Sequence, residues 1–498
     1  MSTTTCVTVP ARPASRSAAV AAAYATLTAI TFSAVSAAPT PIYRFYREAL
    51  GLTPFTITLI FAAYSFTMIA AFLTIARLSD YIGRKPMILL ALGLNAVALL
   101  LFFVAESAGT LVLARAVQGV ATGVALATLG ALIADTAPQW AATLNSVTAF
   151  MGLALGALIS GAFVTFAPWP THLVYAVLLG VTLAEILILA WIVETTSRKA
   201  GAWVGMRPKL TVPKAAAAAM ARLFPLTLSA WALGGFYLSL MPSLVIEATG
   251  IRSPLVGAAV VSALMVSGGL SSLATRALDA GVTVRASAAL LAVGIVITVF
   301  AIAARSPVGM FSGTIVAGLG FGASYGASLR VLLPLASAHE RAGLLSAYFV
   351  ESYLAFALAA IAAGLAAPRF GLVTTALFYG SALALSALVT LAVETAAARA
   401  GVKFEPKIEV QSLEVAKRII SQGKLCTAHF AAPIKADIDS GLLRAVPIKG
   451  MLLPRFIARA SDRPPSRATI VLAEVVQAVS RELVASARWP HARLTIEL

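Results

Sequence analysis

Residues 76–85 read Ala76-Arg77-Leu78-Ser79-Asp80-Tyr81-Ile82-Gly83-Arg84-Lys85. Four of these ten residues are charged, and the stretch lies between apolar runs at about 55–76 and 87–105. A short polar segment between two such runs reads as a loop joining two membrane-spanning helices. Gly83 permits a tight turn there. Arg84 and Lys85 anchor the loop on the basic face of a membrane. Asp80 is placed to pair with a cation or to sit at a helix start, where negative charge is favoured.

The surrounding sequence fits that reading. The 498 residues are 60% hydrophobic and 11% charged, with a mean hydropathy of +0.92. A soluble domain carries roughly 25% charged residues, so a soluble enzyme, a fibrous protein and a disordered chain are excluded. Net charge is +17, but the basic residues are too sparse, and too interrupted by apolar runs, for a nucleic-acid surface. Cys6 and Cys426 form no disulfide framework or metal spacing, and the four histidines do not cluster. No metal, cofactor or catalytic residue is expected, and no enzyme activity.

Twelve apolar segments of about 20 residues follow one another. They cover roughly 19–40, 55–76, 87–105, 110–134, 143–166, 171–194, 223–245, 255–275, 286–304, 307–331, 341–366 and 370–393. Their continuous hydrophobicity predicts helices, not the alternating strands of a barrel. The first segment is too long for the h-region of a signal peptide and is read as a retained span. With the N-terminus inside, fifteen Lys and Arg fall in inner segments and five in outer loops. Both termini are therefore expected to be cytoplasmic.

The organisation predicted is a cytoplasmic segment 1–18, a six-helix bundle 19–194, a basic cytoplasmic linker 195–222, a second six-helix bundle 223–394 and a soluble α/β tail 395–498. A shift of 199 residues aligns Arg77 with Arg276, Asp80 with Asp279, Gly51 with Gly250, Gly119 with Gly318 and Gly123 with Gly322. This predicts two repeated bundles related by a pseudo-twofold axis along the membrane normal, with the site between them at mid-depth.

Residues 76–85 resemble the loop motif G-x-x-x-D-R-x-G-R-R/K of the major facilitator superfamily. Ala76 and Tyr81 stand where the family has Gly and Arg. Arg115-Ala-Val-Gln118-Gly119 is similar to the family's R-x-x-Q-G. Gly152 to Gly161 partly matches its antiporter motif, with Ala157 in place of Pro and Ser160 in place of Gly. Pro39-Thr-Pro41-Ile-Tyr43 resembles a signature of bacterial members. The resemblance covers roughly residues 19–394. It implies an all-α membrane protein with two six-helix bundles. It further implies that Arg77, Asp80, Gly83, Arg84 and Lys85 form a gating motif that locks the halves, and that Arg115 and Gln118 serve proton coupling or structural hydrogen bonding. The plain alternative for Arg115 is a side chain snorkelling to the outer interface.

Two carboxylates lie well inside spans, Glu185 and Glu351. Glu351 is about ten residues, or ~15 Å, from the inner end of its helix. A carboxylate there must be paired or protonated. Because the eleventh helix borders the interface between halves in this family, Glu351 is the proton-coupling candidate and Glu185 the structural one. Tyr43, Tyr64, Tyr237 and Tyr325, with Phe236, are candidates to line a cavity for an apolar or cationic solute. Packing or interfacial roles are the alternative.

The tail resembles the closing portion of a LysR-type effector-binding domain, through Ser412-Leu-Glu, Gly423, Ser440-Gly441 and a Val446-Pro447 strand. The function expected is secondary transport of a small organic solute by alternating access, proton-coupled and exporting, in a bacterial inner membrane. The partners expected are the solute, protons and the lipid bilayer, with the chain acting as a monomer. Proton-coupled uptake and a membrane-tethered sensor using the tail are the alternatives.

Overall fold

The computed structural model describes residues 16–400, except 76–77, 198, 200, 202–209 and 338–339. Arg77 and almost all of the tail, including its LysR-like features, lie outside the described residues. The described chain up to Gly401 forms one compact unit.

Helices account for its architecture. The first half holds α1 (Arg16–Ala37), α2 (Tyr43–Leu50), α3 (Pro54–Thr74), α4 (Ser79–Ile82), α5 (Arg84–Phe103), α6 (Ala108–Thr136), α7 (Ala141–Phe166) and α8 (Leu173–Leu189). The second holds α9 (Lys214–Ser239), α10 (Met241–Thr249), α11 (Pro254–Ala274), α12 (Ala280–Ala303), α13 (Pro307–Leu332), α14 (Arg341–Phe370) and α15 (Leu372–Ala400). Eleven of these are long and apolar enough to cross a membrane, and α8 is a shorter apolar helix of 17 residues. At 1.5 Å per residue, 17 residues reach about 26 Å. Each half thus supplies six long helices plus short connecting ones, as expected for two six-helix bundles.

The ends of several helices differ from the hydropathy reading. The sixth apolar run extends to Glu194, but α8 stops at Leu189, and Glu194 beyond it bonds the start of another helix. The seventh helix starts at Lys214, nine residues inside the segment read as linker. Its first turns are alanine-rich, a strong helix-forming composition. The last helix likewise runs on to Ala400, past the expected tail boundary at 395.

The repeat seen in the sequence is present in the packing. Gly119 and Gly123 let α6 press on α3: a Cβ on Gly119 would lie 2.2 Å from the Tyr64 carbonyl oxygen. Gly318 and Gly322 do the same for α13 on α11, where a Cβ on Gly322 would lie 1.8 Å from the Gly268 carbonyl oxygen. Gly51 and Gly250 end α2 and α10 with φ of 63° and 76°, the left-handed region that favours glycine. Small residues are what allow membrane helices to approach this closely, since lipid supplies no hydrophobic drive between them.

Large apolar side chains cover the outside: Leu187, Trp191, Phe300, Phe370 and Phe378 are each more than 60% exposed. In water this would be an aggregating surface; facing lipid it is the expected one.

Candidate functional site

Two features stand out, one at the loop between α3 and α5 and one inside the bundle.

At the loop, Gly83 adopts φ of 113° and turns the chain from α4 into α5. The first backbone N–H groups of α5 lack intrahelical partners. Glu194 meets this need from behind α8: Oε1 accepts from the Arg84 N–H at 2.8 Å, and Oε2 from the Lys85 N–H at 2.9 Å. Oε1 also accepts from the Thr195 and Thr196 N–H groups. Burial works against the charge, but these four donors overcome it and hold the Glu194 carboxyl below the usual carboxylate range. A Cβ on Gly83 would come within 2.8 Å of Glu194 Oε2, so glycine is required here twice over.

Arg84 is buried rather than displayed at the surface. Its guanidinium donates to Ser79 Oγ at 2.7 Å, Asp80 Oδ1 at 2.6 Å and Asp135 Oδ2 at 3.1 Å. Asp80 therefore pairs within its own loop. Lys85 Nζ donates to the Ala190 carbonyl at the end of α8. The repeat-related Asp279 instead caps α12, accepting from the Val282 N–H at 2.8 Å.

Inside the bundle, Arg115 is completely buried on α6. Its Nε donates to the Tyr43 hydroxyl at 2.8 Å, and Nη1 donates to the Ser36 carbonyl at 2.8 Å and to Gln118 Oε1 at 2.6 Å. Gln118 Nε2 donates in turn to the Val35 carbonyl. The rings of Tyr43, Phe61 and Tyr64 surround the guanidinium at 5.4–5.7 Å. Arg115 therefore does not snorkel to an interface. Its network ties α6 to the break between α1 and α2, which explains the Pro39–Tyr43 signature: the turn places Tyr43 on Arg115 and lets Thr40 Oγ1 donate to the Leu238 carbonyl in the second half. Tyr43 and Tyr64 thus meet at one residue. At the repeat-related position, Thr314 is hydrogen-bonded to Tyr237, which packs with Phe236 and Tyr379 inside the second half.

The halves meet along two helix pairs. In α7–α11, Gly161 faces Ala258, Ser262 Oγ donates to the Ala154 carbonyl, Phe150 lies on Gly268 and Gly269, and Arg276 donates to Thr143. In α3–α14, Gly364 faces Thr58, Phe61 packs at a tilt against Phe356 with centroids 5.0 Å apart, and Phe72 meets Phe349 at 5.2 Å. Contacts thus run from the end bearing residues 79–85 to the opposite end, and the bundle is closed at both. The antiporter-like stretch serves this packing. Gly152 and Gly156 bring α7 against α1, Ser160 Oγ donates to the Ala38 carbonyl, and Gly161 reaches α11.

Between the halves lies a wall of rings. Trp231, Tyr325, Tyr348, Phe349, Tyr353 and Phe356 contact one another with centroid distances of 5.0–6.5 Å. Of the four tyrosines expected to line a cavity, only Tyr325 belongs to it. The other members were readable as a stripe, since Phe349, Tyr353 and Phe356 recur at helical spacing. Glu351, on the same helix, is half-buried and has no hydrogen-bond or ion-pair partner among the described residues. It shares its stripe with Leu358 and Leu365, both more than half exposed. Glu185 is buried and accepts from Thr31 Oγ1 at 2.7 Å, a link between α1 and α8.

A membrane bundle of two repeated six-helix halves, with buried polar and aromatic residues where they meet, defines a class of solute transporters, not of enzymes. Residues 24–282, just over half the chain, match the Major Facilitator Superfamily, and the chain belongs to that family. A stretch of 98 residues is 35% identical to the efflux pump dotC of Dothistroma septosporum, covering 19% of this chain and 17% of that protein's length. Among solved structures, a bacterial homologue of the human lysosomal transporter Spinster, inward-facing and unoccupied, aligns with a TM-score of 0.61 at 14% identity. That alignment covers 79% of this chain and all of the other. A POT family transporter in complex with 5-aminolevulinic acid aligns with a TM-score of 0.62 at 10% identity, over 76% of this chain and 96% of its own. The nucleoside transporter NupG aligns with a TM-score of 0.60 at 12% identity, over 75% and 99%.

Proposed function

We propose that this chain is a proton-coupled exporter of a small organic solute, working by alternating access as a monomer in a bacterial inner membrane. The observation that carries the reading is the pair of seams α3–α14 and α7–α11, which hold the bundle shut at both ends around buried rings and a buried guanidinium. Rocking about these seams opens one end while the other stays packed. The excess of Lys and Arg at the end bearing residues 79–85 orients that end, and both termini, toward the cytoplasm. Export is favoured by the likeness of a 98-residue stretch to a protein named as an efflux pump.

Glu351 is the proposed proton carrier, because an unpartnered carboxylate charge within a span is costly. Arg115 and Gln118 fix α6 to α1 and transmit the change. Asp80, Gly83, Arg84 and Lys85, with Arg77, form the proposed cytoplasmic gate element. The test is solute flux in proteoliposomes under an imposed pH gradient, with solutes first chosen by resistance screening of an expressing strain. Wild type should move solute against its gradient, out of the compartment equivalent to the cytoplasm, and Glu351→Gln should abolish the gradient-driven part. Equal gradient-driven flux in the variant would refute the assignment, and accumulation in the opposite direction would identify an uptake symporter.

A further inference from the structure

We propose that the site between the halves takes a planar, apolar molecule bearing an acidic group, an aromatic carboxylate rather than an organic cation, with Arg115 as its counter-ion. This rests on the transporter reading and names the class of its solute.

Arg115 is the one charged side chain among the described residues with no exposure at all. A guanidinium has five N–H donors. Nε and Nη1 are engaged by Tyr43, Ser36 and Gln118, whereas Nη2 is buried with no partner. Among the described residues no Asp or Glu lies within 4.0 Å to balance the charge. A buried charge without a counter-ion is costly, and an incoming anion relieves that cost. The unpartnered Nη2 can donate a charge-assisted hydrogen bond to a carboxylate oxygen.

The surroundings supply the rest of the recognition. Phe61, over which the guanidinium lies at 5.7 Å, packs at a tilt against Phe356 of the other half at 5.0 Å. The cation is therefore one ring away from the seam. Beyond Phe356 the wall continues through Trp231 and Tyr353. Aromatic faces bind cations, but the faces of Tyr43 and Tyr64 are already turned to Arg115. A cationic solute would meet a like charge in a medium of low dielectric constant, where repulsion is strong. Glu351, the charged side chain in this part of α14, lies on the stripe of the exposed Leu358 and Leu365; of the wall's rings on α14 only Tyr348, three residues before it, neighbours that stripe, and Phe349, Tyr353 and Phe356 do not.

The experiment measures equilibrium binding to the full chain in nanodiscs at pH 7, with no gradient, using three probes of one shape: 1-naphthoate, 1-naphthylmethylammonium and 1-naphthalenemethanol. The expected order is naphthoate tightest by about tenfold. Arg115→Lys, which keeps a point charge but lacks the Nη2 donor, should erase most of that lead. Should Arg115→Lys fail to fold, Trp231→Ala carries the test: it should weaken all three probes by similar factors and leave the anion first. Equal or reversed order in wild type, no binding of any probe, or naphthoate binding unaffected by Trp231→Ala would overturn the proposal. Because no gradient is used, failure of proton coupling leaves this result untouched, and a preference for the amine would overturn it while transport itself stands.

Discussion

Glu194 caps a helix that begins 110 residues before it: its carboxylate accepts the backbone N–H of Arg84 at 2.8 Å. The loop motif between α3 and α5 is thus completed by a residue beyond the end of α8. Charge at the start of α5 is favoured both by the orphan N–H groups and by the helix dipole.

Glu194→Gln should therefore destabilise the first half by about 1 kcal/mol, the usual value of a lost cap. Thermal unfolding in nanodiscs checks it, with Glu48→Gln, a surface ion-pair residue, as a control expected to change little. The pH dependence has a definite sign. The folded carboxyl titrates below its unfolded value, so its contribution is complete above the ordinary carboxylate range and is lost as pH falls through the lower, folded value. Wild type and Glu194→Gln should differ in Tm at pH 7 and converge in strong acid.

Gly156 brings α7 so near α1 that a Cβ would lie 2.1 Å from the Ala34 carbonyl oxygen. Gly156→Leu should cost several kcal/mol, at or above the ~1–3 kcal/mol range for overpacking, because backbone has to move. Gly180→Leu is the control, since nothing stands within 4 Å of its Cβ position. Yield and Tm of the two variants report the difference.

Phe72 and Phe349 close the end of the bundle nearest residues 79–85, with centroids 5.2 Å apart. In a chain whose Cys6 and Cys426 are replaced by Ser, Phe72→Cys with Phe349→Cys should be bridged by a short, reducible bis-methanethiosulfonate crosslinker. Flux should fall to background and return with reductant. Crosslinked protein that still transports would exclude opening at this seam.

The helices were legible because lipid demands apolar runs of a fixed length, and the repeat because Gly119, Gly123, Gly318 and Gly322 are forced by backbone contact. Arg115 and Gln118 were legible as a charge and an amide at one helical spacing. Their partners were not: Ser36 and Val35 contribute only carbonyl oxygens, which any residue could supply. The role of Glu194 was hidden for a related reason. It ends an apolar run, so hydropathy assigns it to a span, while its capping partner lies over a hundred residues earlier. The aromatic wall draws on α9, α13 and α14, and its stripe on α14 gains meaning only when Trp231 and Tyr325 join it.

In the proposed cycle the two halves rock, opening one end as the other closes. Spin-label distances in nanodiscs test it directly. Labels at Gln139 and Ala277, both exposed, report the end near residues 79–85, and labels at Glu106 and Arg305, also exposed, report the opposite end. Between pH 5 and pH 8, the two distances should change in opposite senses, and Glu351→Gln should hold one distribution at both pH values. Distances that stay fixed, or that lengthen together, would contradict it.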